Sequence, residues 1–216
     1  MPRQKKPQRQ PDPRRAQTRE ALIRAAEAAL QDLPLEEITV QEIARRAGVA
    51  VTSIYNHFGS KAALQAAIAE RALQVDREYM DRAYVQRRTP VEQLKSAAAE
   101  YLQFYLDHPD YFRLIAFPPE ASHPAARELN ERIVHRVTEQ NARMVRALRD
   151  GIDRGQIRAV DPEEVATLLW SAWNGMISLG WRTDALRRNR TQLKRMLELA
   201  TDIVAAGLTI APPARR

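Results

Sequence analysis

From Thr18 onward the apolar residues recur at helical spacing almost without interruption. Leu22, Ala26, Ala29 and Leu33 stand at i, i+4, i+7 and i+11, and no segment alternates strictly as a strand would. A chain patterned in this way must bury helix faces against one another, so the expected fold is all-α. Capping signals divide the pattern. Thr39 with Glu42, Thr89-Pro90 with Gln93, and Asp161-Pro162 with Glu164 each read as an N-cap and its partner, two with proline in the first turn. Gly48, Gly59, the stretch from Gly151 to Gly155, and Gly207 read as helix ends. The spacing predicts nine helices, near 18–32, 40–47, 51–58, 60–84, 90–107, 109–117, 124–153, 162–183 and 191–206.

A chain of 216 residues can bury a core without a metal or a disulfide. It has no cysteine, which removes a disulfide scaffold and every thiolate metal site and suits a reducing cytoplasm. Only four scattered histidines remain, so neither a metal site nor a resident cofactor is expected. Val165 to Trp181 carries no charge and holds Trp170, Trp173 and Trp181, yet it falls short of the roughly 20 apolar residues a bilayer needs. Thr167, Ser171, Asn174, Gly175 and Ser178 interrupt it, so it reads as a buried bundle helix partly covered by another subunit, with no membrane association.

The net charge of +7 sits mostly in one place. Met1 to Arg19 holds seven basic residues against one acid, among four prolines and no apolar period. Residues 1–15 therefore read as a disordered basic arm, with no apolar run before Ala21 to make a secretory signal. Two readings of the arm stand: a solubilising tail, or an element that attracts phosphate.

Residues 39–49, TVQEIARRAGV, place Val40, Ile43, Ala44 and Ala47 on an inner face, with Gln41, Arg45 and Arg46 outward and Gly48 closing the turn. The following VTSIYNHF places Ile54 and Phe58 on one side, Thr52 and Asn56 away from it, and Val51 and Tyr55 at its border. Two short helices joined at a glycine turn, the second with a packed side and a mixed presenting side, make a helix-turn-helix over 39–58. Such a unit suits DNA. The capped start of the first helix, at Thr39 and Gln41, offers backbone donors to a phosphate. Val51, Thr52, Tyr55 and Asn56 offer methyl and hydrogen-bonding groups to base edges, Ser53 and His57 complete the polar surface, and Lys61 supplies charge where the backbone would pass.

AGVAVTSIYNHFGSKAAL resembles the helix-turn-helix of the TetR family of bacterial transcriptional regulators through Ala47, Gly48, Val49, Ile54, Tyr55, His57, Phe58, Ser60, Lys61 and Leu64. The resemblance covers about residues 16–70 and implies a DNA-binding domain over 16–76. It implies phosphate contacts at Tyr55, His57 and Lys61, with Tyr55 sometimes reaching bases, and base-facing places at Val51, Thr52 and Asn56. Two departures stand out. Ala50 occupies the position of the usual Ser, which removes an N-cap worth roughly 1 kcal/mol, and the loop DLPLEEIT lacks the family's glycine and aromatic.

The C-terminal residues 77–210 resemble a TetR subgroup named for a Trp-His-Gly motif, here Trp173-Asn174-Gly175. The family implies an effector-binding and dimerisation domain, with helices 162–183 and 191–206 pairing across a two-fold axis. The uncharged surface of the first and the stripe Leu193, Met196, Leu197, Ala200, Ile203 and Val204 of the second fit that pairing. A two-fold dimer places its recognition helices roughly 34 Å apart and requires a palindromic double-stranded operator. An unidentified small-molecule effector is implied, with Tyr101, Phe104, Tyr105, Phe112, Arg113, Trp170, Trp173 and Asn174 as candidate ligand contacts. For most of these aromatics the favoured reading is ordinary core. His108 and Asp110 read as caps, and His123 and His135 as surface groups.

These features imply a cytoplasmic, homodimeric repressor released by its effector. Two other readings remain: an architectural DNA binder driven by the arm, and an enzyme on a helical scaffold. Residues 20–61 carry six acids and four bases, so the helix-turn-helix head is not itself strongly basic. No G-x-S-x-G, H-E-x-x-H or phosphate-binding glycine loop occurs, and no catalytic residue is expected.

Overall fold

A computed structural model of the chain describes residues 13–33, 37–116 and 124–210. Residues 1–12 of the basic arm, part of the loop DLPLEEIT, and Phe117 and His123 lie outside the described residues. The described residues form nine α-helices and one short 3-10 turn, with no strand. They fall into two compact units that divide between Ile68 and Ala69.

The first unit holds α1 (Pro13–Leu30), α2 (Val40–Ala47), α3 (Val51–Phe58) and the start of α4 (Lys61–Ala83). Helix α1 begins five residues before the predicted start, so Pro13, Arg14 and Arg15 are helical rather than part of the arm. Proline in a first turn has no N–H to lose and its φ already suits a helix. Helix α2 starts where Thr39 accepts a hydrogen bond from the Glu42 N–H at 3.1 Å. It ends at Gly48, whose φ of 68° is left-handed and favours glycine over any residue with a Cβ. Helices α1, α2 and α3 pack on one another around Leu22, Ala26, Ile43 and Ile54, all of them buried. Full burial of a side chain such as Ile54 contributes about 1.5–3 kcal/mol. It fixes the rotation of α3 and so decides which residues face out.

The second unit comprises the rest of α4 with α5 (Pro90–Asp107), α6 (Pro109–Ala116), α7 (Pro124–Asp153), α8 (Pro162–Ser178), the 3-10 turn Leu179–Trp181 and α9 (Arg190–Leu208). Helix α5 is central and packs on α6, α7, α8 and α9. Its N-cap is a reciprocal box in which Thr89 takes the Glu92 N–H and Glu92 takes the Thr89 N–H. The predicted partner, Gln93, lies one residue too far along and instead donates to the Val85 and Arg88 carbonyls. Asp161 caps α8 by accepting the Glu163 and Glu164 N–H groups. The α8 helix stops at Ser178 rather than 183. In the turn that follows, Gly180 lies against the Tyr105 hydroxyl, where an added Cβ would collide. An unforeseen box between Asn189 and Gln192 starts α9. Helix α7 ends at Asp153, within the stretch from Gly151 to Gly155 and before Gly155 with its φ of 66°, whereas Gly207, read as a helix end, lies inside the last turn of α9.

Among the described residues no helix is long and apolar enough to cross a membrane.

Candidate functional site

In the first unit, α3 divides by exposure as its pattern requires. Ile54 is 0% exposed and Tyr55, beside it, is 49% exposed. Thr52 and Asn56 are exposed, while Val51, Ser53 and His57 are half-buried at the edges. Thr39 and Gln41 are exposed at the start of α2, and Lys61 is half-buried at the head of α4. Ser60 accepts the Ala63 N–H at 3.0 Å and caps that helix, holding Lys61 in its first turn. Ala50 makes no side-chain cap to α3, as its methyl dictates.

The face around α3 is braced from behind. Arg46, expected to point outward, is drawn in: Nε donates to Glu42 Oε1 at 2.6 Å, Nη1 to the Ala28 carbonyl at 2.8 Å, and Nη2 to Asp32 Oδ2 at 2.6 Å. One guanidinium thereby ties α2 to the end of α1. The spacing predicts a capping box between Glu42 and the Thr39 N–H, but the Glu42 carboxylate turns to the two arginines. Hydrogen bonds from Arg45, then Arg46, hold the Glu42 carboxyl down to about 2. At the other end of α3, Arg15 donates to the Asn56 carbonyl at 3.4 Å, and the Arg19 guanidinium sits 4.9 Å from the Phe58 ring centroid. The early start of α1 brings Arg15 into the helix, and Arg15 and Arg19 together set two basic residues against α3. Sequence spacing did not single them out, because their partners lie some 40 residues on.

In the second unit, a cavity of about 30 Å³ is bordered by α4, α5, α6, α7 and α8. Of the candidate ligand residues, Tyr101, Trp170 and Trp173 line it. Asn174 lies next to it, accepting the Tyr101 hydroxyl at 3.0 Å and donating to the Trp170 carbonyl at 2.9 Å. Phe104, Tyr105 and Phe112 are instead core: the ring centroids of Tyr105 and Phe104 lie 5.3 Å and 6.1 Å from that of Phe112. Arg113 is exposed on α6. The cavity also takes Asp76, Tyr84 and Gln140, which sequence reasoning missed. For Asp76 a signal existed: it shares the helical period of Ala69, Ala72, Leu73, Met80 and Ala83, and an acid on an apolar stripe is buried with them. A larger groove of about 330 Å³ runs between α5 and α9 over Ala98, Leu102, Leu106 and Leu197, with Lys95 and Asp202 paired at 2.6 Å on its edge.

A helix-turn-helix with an exposed polar and aromatic face, and a separate helical unit enclosing an aromatic cavity, define a class of DNA-binding regulators. Two family models agree. One, described as bacterial regulatory proteins, tetR family, matches residues 22–68, and the other, a tetracyclin repressor-like C-terminal domain, matches residues 94–205. The chain belongs to the TetR family and is a DNA-binding transcriptional regulator. Solved structures share its fold. SmeT, the repressor of the Stenotrophomonas maltophilia multidrug efflux pump SmeDEF, is 23% identical with a TM-score of 0.66, over 91% of this chain and 94% of its own. The Thermus thermophilus regulator PfmR is 19% identical with a TM-score of 0.68, over 86% of this chain and 97% of its own. A TetR regulator from Haloarcula marismortui is 18% identical with a TM-score of 0.73, over 90% of this chain and 100% of its own. No curated protein matches the chain.

Proposed function

We propose that the chain is a cytoplasmic homodimeric repressor that binds a palindromic operator through α3 and releases it when a small molecule occupies the cavity of the second unit. The observation that carries the reading is the contrast on α3. Ile54 is fully buried while Tyr55, Thr52 and Asn56 are exposed on a face braced by Arg46. A large aromatic side chain held in water beside hydrogen-bonding groups fits the major groove. Thr39, Gln41, His57 and Lys61 would hold the flanking phosphates, and Val51 and Ser53 would border the bases. The first unit serves as the DNA-binding domain and the second, from Ala69 on, as the effector and dimerisation domain, so the boundary lies before the 76/77 division drawn from sequence and leaves Asp76 with the effector cavity. The second domain is assigned to the Trp-His-Gly subgroup.

Dimerisation is supported by apolar side chains left in solvent on the last two helices: Leu168 of α8 is 58% exposed, and Leu199 and Ile203 of α9 are each 62% exposed. Of the predicted stripe, Leu193 and Leu197 are buried within the protomer while Ile203 is exposed, and Leu199, outside the stripe, joins it at the free edge. SmeT has been solved in complex with triclosan, a precedent for a small-molecule ligand on this fold. The ligand acts by binding the DNA-free form more tightly, and it leaves unchanged.

Light scattering tests the reading on the Leu199→Arg and Ile203→Arg variants alongside operator titrations. The parent should run as a dimer, and the variants as folded monomers that have lost operator affinity. Full operator affinity in a monomeric variant, or turnover of a bound compound, would contradict the proposal.

A further inference from the structure

The cavity of the second unit contains polar groups that do not cancel one another. Most of its hydrogen bonds close internally. The Tyr101 hydroxyl donates to Asn174, the Asn174 amide to the Trp170 carbonyl, and Gln140 Nε2 to Asp76 Oδ2 at 3.2 Å. The Gln140 carbonyl oxygen in turn accepts from Arg143 at 3.2 Å. Two groups are left over. Trp173 Nε1 is buried and has no hydrogen-bond partner among the described residues. Asp76 is 5% exposed, and Gln140, its hydrogen-bond donor among the described residues, is neutral.

The neighbouring cations are engaged elsewhere. Arg143 lies 2.8 Å from Asp81, with its guanidinium 5.0 Å from the Tyr84 ring centroid, and Arg136 lies 2.9 Å from Glu139. Among the described residues no lysine or arginine lines the cavity. Arg136 and Arg143 act on Asp76 only from a distance, and a buried carboxylate with no cation bonded to it is costly for a fold to keep. Burial accordingly pushes the Asp76 carboxyl up to about 6, against the opposing effects of Gln140, Arg136 and Arg143.

The walls match a positive guest. Tyr84, Tyr101, Trp170 and Trp173 offer aromatic rings, whose faces attract cations. Met80 and Met144 offer polarisable side chains that repack readily. At about 30 Å³ the cavity has room for little more than a water molecule, whereas small-molecule sites measure about 300–1,000 Å³. A guest must therefore open it, and the Asp76–Gln140 bond between α4 and α7 is the one a charged guest can replace.

We infer that the effector is a hydrophobic organic monocation, an aryl or alkyl ammonium or amidinium, whose charge pairs with Asp76 and which carries an acceptor for Trp173 Nε1. This rests on the effector-responsive reading given above, and it assigns the chemical class of the ligand.

The test uses matched probes on the full chain: naphthylmethylammonium, the neutral naphthylmethanol, the anionic naphthoate, and a methoxy-substituted form of the cation. Binding is followed by calorimetry and operator release by fluorescence anisotropy. The cation should bind about tenfold or more tightly than the alcohol, and the anion should not bind. Asp76→Asn should erase the preference for the cation while retaining operator affinity, which confirms that the variant is folded. Trp173→Phe should remove any advantage of the methoxy group and leave the charge preference intact. Equal or tighter binding of the alcohol or the anion, a preference that survives in Asp76→Asn, or binding of no probe at millimolar concentration would overturn the inference. Operator release by a neutral or anionic compound would overturn it too, while leaving the effector-responsive reading in place. A cation that binds at Asp76 without affecting operator affinity would support the assigned class and sink that reading instead.

Discussion

The guanidinium of Arg46 reaches across to Asp32, its Nη2 lying 2.6 Å from Oδ2, and so joins the first helix of the helix-turn-helix to the turn that ends α1. Arg45, its neighbour in sequence, is far more exposed and bonds only to Glu42 among the described residues. Arg46→Ala should lower the thermal midpoint by several degrees and weaken operator binding, because the orientation of α2 is loosened. Arg45→Ala should scarcely move the midpoint, as expected for an exposed pair within one helix. Thermal denaturation of the two variants side by side checks the contrast.

Tyr55 leaves half its surface in water, beside the fully buried Ile54 that anchors α3. Tyr55→Ala should therefore leave the thermal midpoint unchanged while operator affinity falls by about 10- to 100-fold, the range of one good base or phosphate contact. Ile54→Ala should do the reverse in stability, costing about 2–5 kcal/mol through the cavity it leaves. Calorimetric melting and anisotropy titration on both variants separate the two effects.

Ala50 gives α3 no side-chain cap. Ala50→Ser restores an acceptor for the N–H groups of the first turn and should stabilise the chain by about 1 kcal/mol. Gly48→Ala should cost a similar amount, about 1 kcal/mol, since the backbone there has φ 68° and the penalty is conformational rather than steric. Urea unfolding midpoints at constant slope measure both.

The Asp76 carboxyl is raised from 3.8 to about 6, so it favours the fold while protonated, and that contribution is lost as pH rises through about 6. Asp76→Asn cannot ionise and still offers an oxygen to Gln140. The variant should match the parent near pH 4 and become more stable as pH rises, by on the order of 2–3 kcal/mol above pH 7. Stability curves of both proteins across that range give the difference directly.

Much of the architecture was legible because its signals are local. Thr39 and Gly48 bracket α2, Pro90 and Pro162 open α5 and α8, and Ile54 at the packed side of α3 orients Tyr55 outward, all within a few residues. Where reasoning from spacing failed, a distant partner decided. Arg46 looks outward on a helical wheel, yet Ala28 and Asp32 capture it from another helix. Pro13, Arg14 and Arg15 share the composition of the arm but wind into α1. In the second unit, sequence brought the aromatics together and could not sort them. Phe104 and Phe112 fill the core while Tyr101 and Trp173 reach the cavity, a distinction set by how α5 rotates against α6 and α8.

The central claim is that α3 reads DNA sequence as one of a two-fold pair. Selection of bound sequences from a random double-stranded pool, run on the parent and on Tyr55→Ala, tests it most directly. A palindromic motif, with half-sites about one helical turn or a multiple apart, should be recovered by the parent and lost in Tyr55→Ala. No motif, or the same weak enrichment from both proteins, would contradict it and leave non-specific attraction by the basic arm as the remaining source of DNA binding.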